Sequence, residues 1–160
     1  FDARNDNSEV REFMSRRLGR EDSDKFANRI RAHIDEKGWG LWALEVRGVA
    51  PFVGFVGLGA PSFDAHFTPC VEIGWRLARD HWGKGYATEA ARAALNHGFG
   101  ALSLSAIVSF TYRGNTRLRS VMERLGMRRD ARDDFDHPAL MGHRLQRHVL
   151  YRMANPSDPS

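Results

Sequence analysis

Two hydrophobic patterns meet in the middle of the chain. In the stretch 71–77 every second residue is apolar, which is the period of a half-buried β-strand, and Glu72 falls on its other face. In 87–99 the apolar residues recur at intervals of three and four, which predicts a helix with one apolar face. The segment 82–86, Trp-Gly-Lys-Gly-Tyr, connects the two. A strand, a glycine-rich turn and a helix are therefore predicted in direct succession.

The same patterns predict elements on either side. In chain order these are a short helix around Phe13, Met14 and Leu18, a helix 20–37 that ends at Gly38, a hairpin of strands 39–46 and 52–58, the central strand and helix, a strand 104–111, a helix 116–125 that ends at Gly126, and strands 127–133 and 148–153. A long polar loop is expected between the last two strands. Gly54, Gly57 and Gly59 are expected to weaken their strand or to admit another backbone. This order predicts an α/β (α+β) fold, in which a mixed sheet has helices on both faces.

Length and composition narrow the class of protein. A chain of 160 residues, 42% of them hydrophobic, is predicted to form one domain, 1–160, with its own core. No apolar run approaches the ~20 residues of a membrane span, and residues 1–4 are not expected to begin a signal peptide. The one cysteine, Cys70, suits a reducing cytoplasm. A net charge of +4 favours acidic ligands, but the basic residues are scattered, so nucleic-acid binding is ranked low.

The glycine-rich turn has a chemical use. The first backbone N–H groups of a helix lack partners inside it and carry partial positive charge. Glycine lets an anionic ligand approach the main chain closely. The segment 83–88 is therefore predicted to bind phosphates, with Lys84 as an additional cation. The spacing of a P-loop is absent, and the G-x-G-x-x-G fingerprint of dinucleotide-binding proteins has Thr88 in place of its last glycine.

A third pattern fits the turn. The acetyl-CoA turn of the GNAT acyltransferases, Q/R-x-x-G-x-G/A, lies between a strand and a helix, and WGKGYA at 82–87 resembles it with tryptophan in the first position. The run EIGWRL…WGKGYATEA looks like the RimJ/RimL-type branch of that superfamily. A second family motif, N-x-x-S/A-x-x-V-x-E-K-x-G-F/M, is matched in register by Asn115, Val121, Glu123, Arg124 and Gly126. The two motifs have the order and spacing of the family, and the resemblance covers nearly the whole chain.

The resemblance implies the GNAT fold and an N-acetyltransferase that uses acetyl-CoA and no metal. The family's first strand is not readable before Phe13, so either the chain is expected to begin after it or the strand is expected to be disordered. The diphosphate of acetyl-CoA is expected on Gly83, Lys84, Gly85, Tyr86, Ala87 and Thr88. The pantetheine arm is expected to contact the main chain of Trp75, Leu77 and Arg79 and the side chain of Asn115. A solvated Lys84, and an Asn115 that serves only as a helix N-cap, remain alternatives.

Glu72 is the predicted general base. It lies on the central strand shortly before the turn. Several GNAT enzymes have a glutamate on this strand as base, and burial would raise its pKa towards neutrality. The alternative is a structural glutamate paired with an arginine such as Arg76 or Arg113.

The amine acceptor is expected near the predicted polar loop, where Asp136 can attract an ammonium and His137 can transfer a proton. Trp42 is a second candidate for the acceptor pocket, although Trp39 and Trp42 also fit a packed core. The loop can equally be ordered by Asx-type turns and Pro138 alone. A zinc site made of its histidines is disfavoured, since the sequence has no second cysteine or helical histidine pair.

The predicted function is transfer of an acetyl group from acetyl-CoA to a primary amine, on a small molecule or a protein N-terminus, by direct attack in a ternary complex. No nucleic-acid or membrane partner is expected, and dimers are common in the resembling family, so a homodimer is an open option. The alternative is a GNAT-fold module that binds acyl-CoA, has lost catalysis and has a regulatory role. Its support is the missing general acid: Leu118 and Met122 stand where family members have serine or tyrosine, and Ser120 lies on a different helix face.

Overall fold

The computed structural model describes residues 20–159, and its first element is helix α1 (Arg20–Lys37). The helix ends as predicted at Gly38, which has a left-handed φ of +75° and donates its N–H to the Ile34 carbonyl at 2.7 Å. The later elements are β1 (Leu41–Val46), β2 (Ala50–Gly59), β3 (Glu72–Leu77), α2 (Tyr86–Phe99), β4 (Ala106–Tyr112), α3 (Thr116–Arg124), β5 (Arg128–Arg129), β6 (Phe135–Asp136) and β7 (Arg147–Ala154). Short 3₁₀ helices lie at Arg79–His81, Ala131–Asp133 and Pro138–Leu140. Within residues 20–159, no helix combines the length and the apolar character that crossing a membrane requires.

The described chain forms two compact units. The first contains the residues up to Gly57 together with Trp75–Ala90, and the second contains Leu58–Gly74 together with the residues from Ala91 onward. Strands β2 and β3 and helix α2 each contribute residues to both units. The predicted helix at 13–18, and the region before it where the family's first strand is not readable, lie outside the described residues.

In the first unit, β1 and β2 form the predicted antiparallel hairpin, and β2 is also hydrogen-bonded to β3. Two glycines of β2 lie directly against neighbouring backbone. A Cβ atom at Gly57 would lie 2.0 Å from the carbonyl oxygen of Gly40, and one at Gly54 would lie 2.1 Å from that of Arg76. The predicted approach of another backbone is confirmed at these two positions. A Cβ at Gly59 would meet nothing within 4 Å.

In the second unit, β4 and β7 form a long antiparallel pair that begins with Ala106 opposite Ala154. The start of β3 lies parallel to β4, with Glu72 opposite Val108, and both β5 and β6 pair antiparallel with β7. The mixture of parallel and antiparallel pairs that the element order predicted is therefore confirmed. The core of this unit includes side chains that are at most 2% exposed: Ile107, Val108, Met122, Val149, Leu150 and Tyr151.

Two predictions about the C-terminal third of the chain are wrong. The predicted strand 127–133 is reduced to β5, because the Asp130 side chain accepts a hydrogen bond from the Arg132 N–H at 2.9 Å and starts a 3₁₀ helix. The segment predicted as a polar loop contains β6, which pairs with β7. Phe135 in β6 is only 7% exposed, so this segment contributes to the core.

Candidate active site

The turn between β3 and α2 is anchored by Trp82. Its indole Nε1–H donates to the carbonyl of Leu77, the last residue of β3, at 3.0 Å, and its backbone N–H donates to the Arg79 carbonyl at 3.0 Å. The glycines that follow have left-handed backbone angles, with φ of +72° at Gly83 and +82° at Gly85. Residues with a side chain adopt such angles at a cost of about 1–2 kcal/mol. Glycine at both positions therefore lets the chain turn from the strand into α2.

Six consecutive backbone amides, those of 83–88, lie at the start of α2. Within residues 20–159, no hydrogen bond is recorded for the N–H groups of 83–88, while the Gly85 carbonyl accepts the first helical bond from Glu89 at 3.0 Å. Gly83, Lys84 and Gly85 are exposed, and a Cβ at either glycine would meet nothing within 4 Å. Free amides at the N-terminus of a 14-residue helix can bind an anion. These residues fit the diphosphate of a coenzyme.

Asn115 caps helix α3, as the sequence predicted. Its Oδ1 accepts a hydrogen bond from the Leu118 N–H at 3.2 Å, and its Nδ2 donates to Thr111 Oγ1 at 3.1 Å. Both ends of the side-chain amide are thereby fixed. Its contact with a pantetheine arm stays a prediction, as do the main-chain contacts of Leu77, Arg79 and the half-buried Trp75.

Glu72 begins β3 and is half-buried. Burial raises the pKa of its carboxyl from 4.5 to about 8, because the charged form loses solvation. Loss of solvation is the cause of this shift, and the alternative pairing of Glu72 with Arg76 or Arg113 stays a prediction. A carboxyl with a pKa in this range can accept and release a proton near neutral pH, which is the property expected of the general base.

Two residues beside Glu72 were missed by the sequence analysis. Burial and the negative charge of Glu72 raise the pKa of the Cys70 thiol, whereas the positive charge of Arg152 lowers it. Arg152 shares a cross-strand row with Glu72, since both lie opposite Val108. Its Nε donates to Asp133 Oδ2 at 2.7 Å. Cys70 lies near Glu72 because it is two residues away in the sequence, whereas Arg152 is placed there by the register of three strands, which no spacing in the sequence reveals.

The predicted acceptor residues have structural partners of their own. Asp136 is exposed, and its Oδ1 lies 3.5 Å from Nη1 of Arg147. His137 is half-buried, its Nδ1 accepts from the Ala139 N–H at 3.2 Å to begin the last 3₁₀ helix, and burial lowers the pKa of its imidazole. Trp42 is half-buried on β1 in the first unit. Acceptor binding by these three residues stays a prediction.

An aromatic cluster in the second unit was also missed. Ring centroids lie 4.7 Å apart for Phe63 and His137, 4.7 Å for Phe67 and Phe135, and 5.0 Å for His137 and His148. Burial lowers the pKa of His148 to about 4, so its ring is uncharged at neutral pH. In the described part of the chain, no three His, Cys, Asp or Glu side chains are grouped as metal ligands. The members of this aromatic cluster are Phe63, Phe67, Phe110, Phe135, His137 and His148.

Comparison with known sequences identifies relatives of this chain. The profile of the family described as "Acetyltransferase (GNAT) domain" matches residues 1–128. The chain is 37% identical over 95 residues to the uncharacterised protein YkkB of Bacillus subtilis (strain 168), a match that covers 58% of this chain and 54% of YkkB. It is 41% identical over 59 residues to the uncharacterised N-acetyltransferase YnaD of the same organism, which covers 37% of this chain and 35% of YnaD. The matched stretch thus spans about half of the length of YkkB and about a third of that of YnaD.

A solved structure has the same fold. The acetyltransferase (GNAT family) from Bacillus anthracis is 27% identical to this chain, with a TM-score of 0.73 over 96% of this chain and 86% of that one. This likeness confirms the predicted GNAT fold, and the family profile covers well over half of the sequence. The chain therefore belongs to the GNAT acetyltransferase family.

Proposed function

We propose that this protein transfers the acetyl group of acetyl-CoA to a primary amine. The observation that carries the proposal is the row of amides at 83–88 without a partner among residues 20–159, which begins six residues after the strand that bears Glu72 ends at Leu77. An anion site and a base of near-neutral pKa, on one continuous stretch of chain, meet two requirements of this reaction. Residues 1–160 would act as one catalytic domain in the cytoplasm, as a monomer or a homodimer. Trp82, in the first position of the turn, supports placement in the RimJ/RimL-like branch.

The main chain would make most of the contacts to the coenzyme. The amides of Gly83, Lys84, Gly85, Tyr86, Ala87 and Thr88 would bind the diphosphate, assisted by the partial positive charge of the helix end. The exposed ammonium of Lys84 would add a mobile cation. The pantetheine arm would lie against the main chain of Trp75, Leu77 and Arg79 and the fixed side-chain amide of Asn115.

Glu72 would remove a proton from the acceptor in a ternary complex. Bound acetyl-CoA supplies an acetyl thioester, whose C–S bond breaks as the amine nitrogen bonds to the carbonyl carbon, and the sulfur leaves as the thiolate. Glu72 takes up the proton that the acceptor ammonium loses, which leaves the neutral amine as the nucleophile. Helix α3 offers no side-chain acid where family members have one, because Leu118 and the fully buried Met122 carry no donor. The thiolate would therefore be protonated by solvent.

The missing acid also favours a second candidate, a module that binds acyl-CoA without catalysis. Ser120 also carries a hydroxyl on α3, but this hydroxyl donates its hydrogen bond to the Thr116 carbonyl at 2.9 Å. Such a module would bind acetyl-CoA in calorimetry while no amine accelerates the release of its thiol.

Thiol release tests the proposal against this alternative. We expect at least one amine from a panel of amino-acid amides, polyamines, aminoglycosides and peptides with free N-termini to release coenzyme A well above the rate without acceptor. Free thiol is measured with a chromogenic disulfide, and reactions without protein give the background. A protein that binds acetyl-CoA and leaves every amine of the panel unmodified would be the binding module.

A further inference from the structure

The aromatic cluster lies on the same face of the sheet as the proposed base. Glu72 is opposite Val108, and Val108 is buried against Phe67 and Phe135. Side chains two residues apart on a strand share a face, so Phe110 lies one position further along the same face of β4. The cluster and the carboxyl of Glu72 therefore border the same region of the second unit.

Part of this cluster is open to solvent. Phe67 and Phe135 are 7% exposed and form its base. Phe63, Phe110 and His137 are half-buried and form its rim, with ring centroids 5.7 Å apart for Phe63 and Phe110 and 6.2 Å apart for Phe110 and His137. Three mutually contacting rings that are neither covered nor fully exposed offer an aromatic surface, with the rings tilted 54–73° to one another, to an apolar group of a ligand.

The acidic segment near this rim is already neutralised. Each of its carboxylates is paired with an arginine: Asp130 with Arg132, Asp133 with Arg152, Asp134 with Arg129, and Asp136 with Arg147. A polyamine is recognised by several unpaired carboxylates, and this segment offers none. The two histidines of the cluster add no charge at neutral pH, because burial lowers the pKa of both.

We infer that the acceptor is a primary amine attached to an aromatic or large apolar group, such as the α-amino group of a phenylalanine derivative, and not a polyamine. The inference rests on the acetyl transfer proposed above. The apolar group would lie on the rim of Phe63, Phe110 and His137, which places its amine on the face that carries Glu72. The pKa of Glu72 supports an α-amino acceptor. Its value of about 8 is near that of an α-ammonium group, which Glu72 can therefore deprotonate, and far below the ~10.4 of an alkylammonium.

The test compares kcat/KM for L-phenylalaninamide, glycinamide and spermidine by thiol release. The first two carry the same α-amino group and differ by the benzyl side chain. We expect phenylalaninamide to be used about 10- to 100-fold better than glycinamide, from burial of the ring alone, and spermidine to be no better than glycinamide. A rate with spermidine or glycinamide that equals or exceeds the rate with phenylalaninamide would overturn the inference.

Matched variants tie the preference to the rim. Phe63→Leu and Phe110→Leu remove one ring each and keep the side chain apolar, and each is expected to lower the ratio between phenylalaninamide and glycinamide several-fold. Phe99→Leu, at a half-buried phenylalanine outside the cluster, is the control and should keep the ratio. The ratio does not depend on how much of a variant is folded. An unchanged ratio in both rim variants would contradict the inference.

Saturation-transfer NMR separates this inference from the reaction itself. With coenzyme A present, the ring protons of phenylalaninamide are expected to receive saturation from the wild-type protein and less from Phe63→Leu. If no amine releases thiol but the wild-type protein still transfers more saturation than Phe63→Leu, the proposal of acetyl transfer is wrong. The proposal that the rim binds an aromatic amine is then confirmed. The absence of saturation transfer to the ring would refute the acceptor surface.

Discussion

Glu72→Gln is expected to lower the rate of acetyl transfer by about 10²- to 10⁴-fold, the range that removal of a general base produces. Glutamine keeps the shape of the side chain but cannot take the proton from the acceptor. Binding of acetyl-CoA should change little, because the proposed contacts to its diphosphate come from the amides of 83–88 and not from the Glu72 carboxyl. The measurements are thiol release under saturating acetyl-CoA and calorimetric titration of both proteins. Wild-type turnover in Glu72→Gln would remove the residue from the mechanism.

The pH dependence of the rate gives the same carboxyl a second signature. Burial raises the pKa of Glu72 to about 8. At pH 6 the Glu72 carboxyl is therefore protonated in most protein molecules, and a protonated carboxyl cannot act as a base. With an acceptor whose own ammonium has a pKa outside this range, the wild-type rate should therefore rise with pH up to about 8 and then level off, whereas the residual rate of Glu72→Gln should lack this rise. Glu45→Gln, at an exposed glutamate on β1, is the matched control and should keep the wild-type profile.

Gly57→Ala is expected to destabilise the hairpin strongly. The new Cβ would lie 2.0 Å from the Gly40 carbonyl oxygen and 2.7 Å from the Leu41 Cα, both backbone atoms of the paired strand and its approach. The two strands must separate to admit it, which we expect to lower the free energy of unfolding by about 3 kcal/mol or more. Thermal unfolding should then occur about 10 °C lower.

Gly59→Ala is the control for this effect on the same strand. A Cβ there meets nothing within 4 Å, and its φ is outside the left-handed region. The free energy of unfolding should rise by up to about 1 kcal/mol or stay the same, because alanine restricts the unfolded chain. Equal destabilisation by the two substitutions would show that close backbone approach is not why β2 carries glycine at position 57.

The elements that local chemistry controls could be predicted from the sequence. Gly38 ends α1, Asn115 caps α3, and Gly83 and Gly85 turn the chain into α2 with its amides free. Each of these features depends on one residue type and a few neighbours along the chain. The residue types and their spacing were therefore enough to predict the turn and its conformation, whereas anion binding at the turn stays a prediction.

The features set by strand register could not be predicted in this way. Nothing in the sequence shows that Glu72 and Arg152 both lie opposite Val108. The aromatic cluster likewise draws its residues from loops and from β4, β6 and β7, which lie far apart in the sequence and meet only through strand pairing. Strand 127–133 failed for a local reason, since Asp130 can satisfy a backbone N–H with its own side chain and divert the chain from a strand.

The central claim is that the main-chain amides of 83–88 bind the diphosphate of acetyl-CoA. The most direct measurement is the backbone amide NMR spectrum of the labelled protein, titrated with coenzyme A and, separately, with pantetheine, which lacks the diphosphate. We expect coenzyme A to shift the amide resonances of 83–88 downfield more than those elsewhere on the chain, because new hydrogen bonds form there, and pantetheine to leave them in place. Binding of coenzyme A that leaves these six resonances unmoved, or no binding of coenzyme A at all, would contradict the claim.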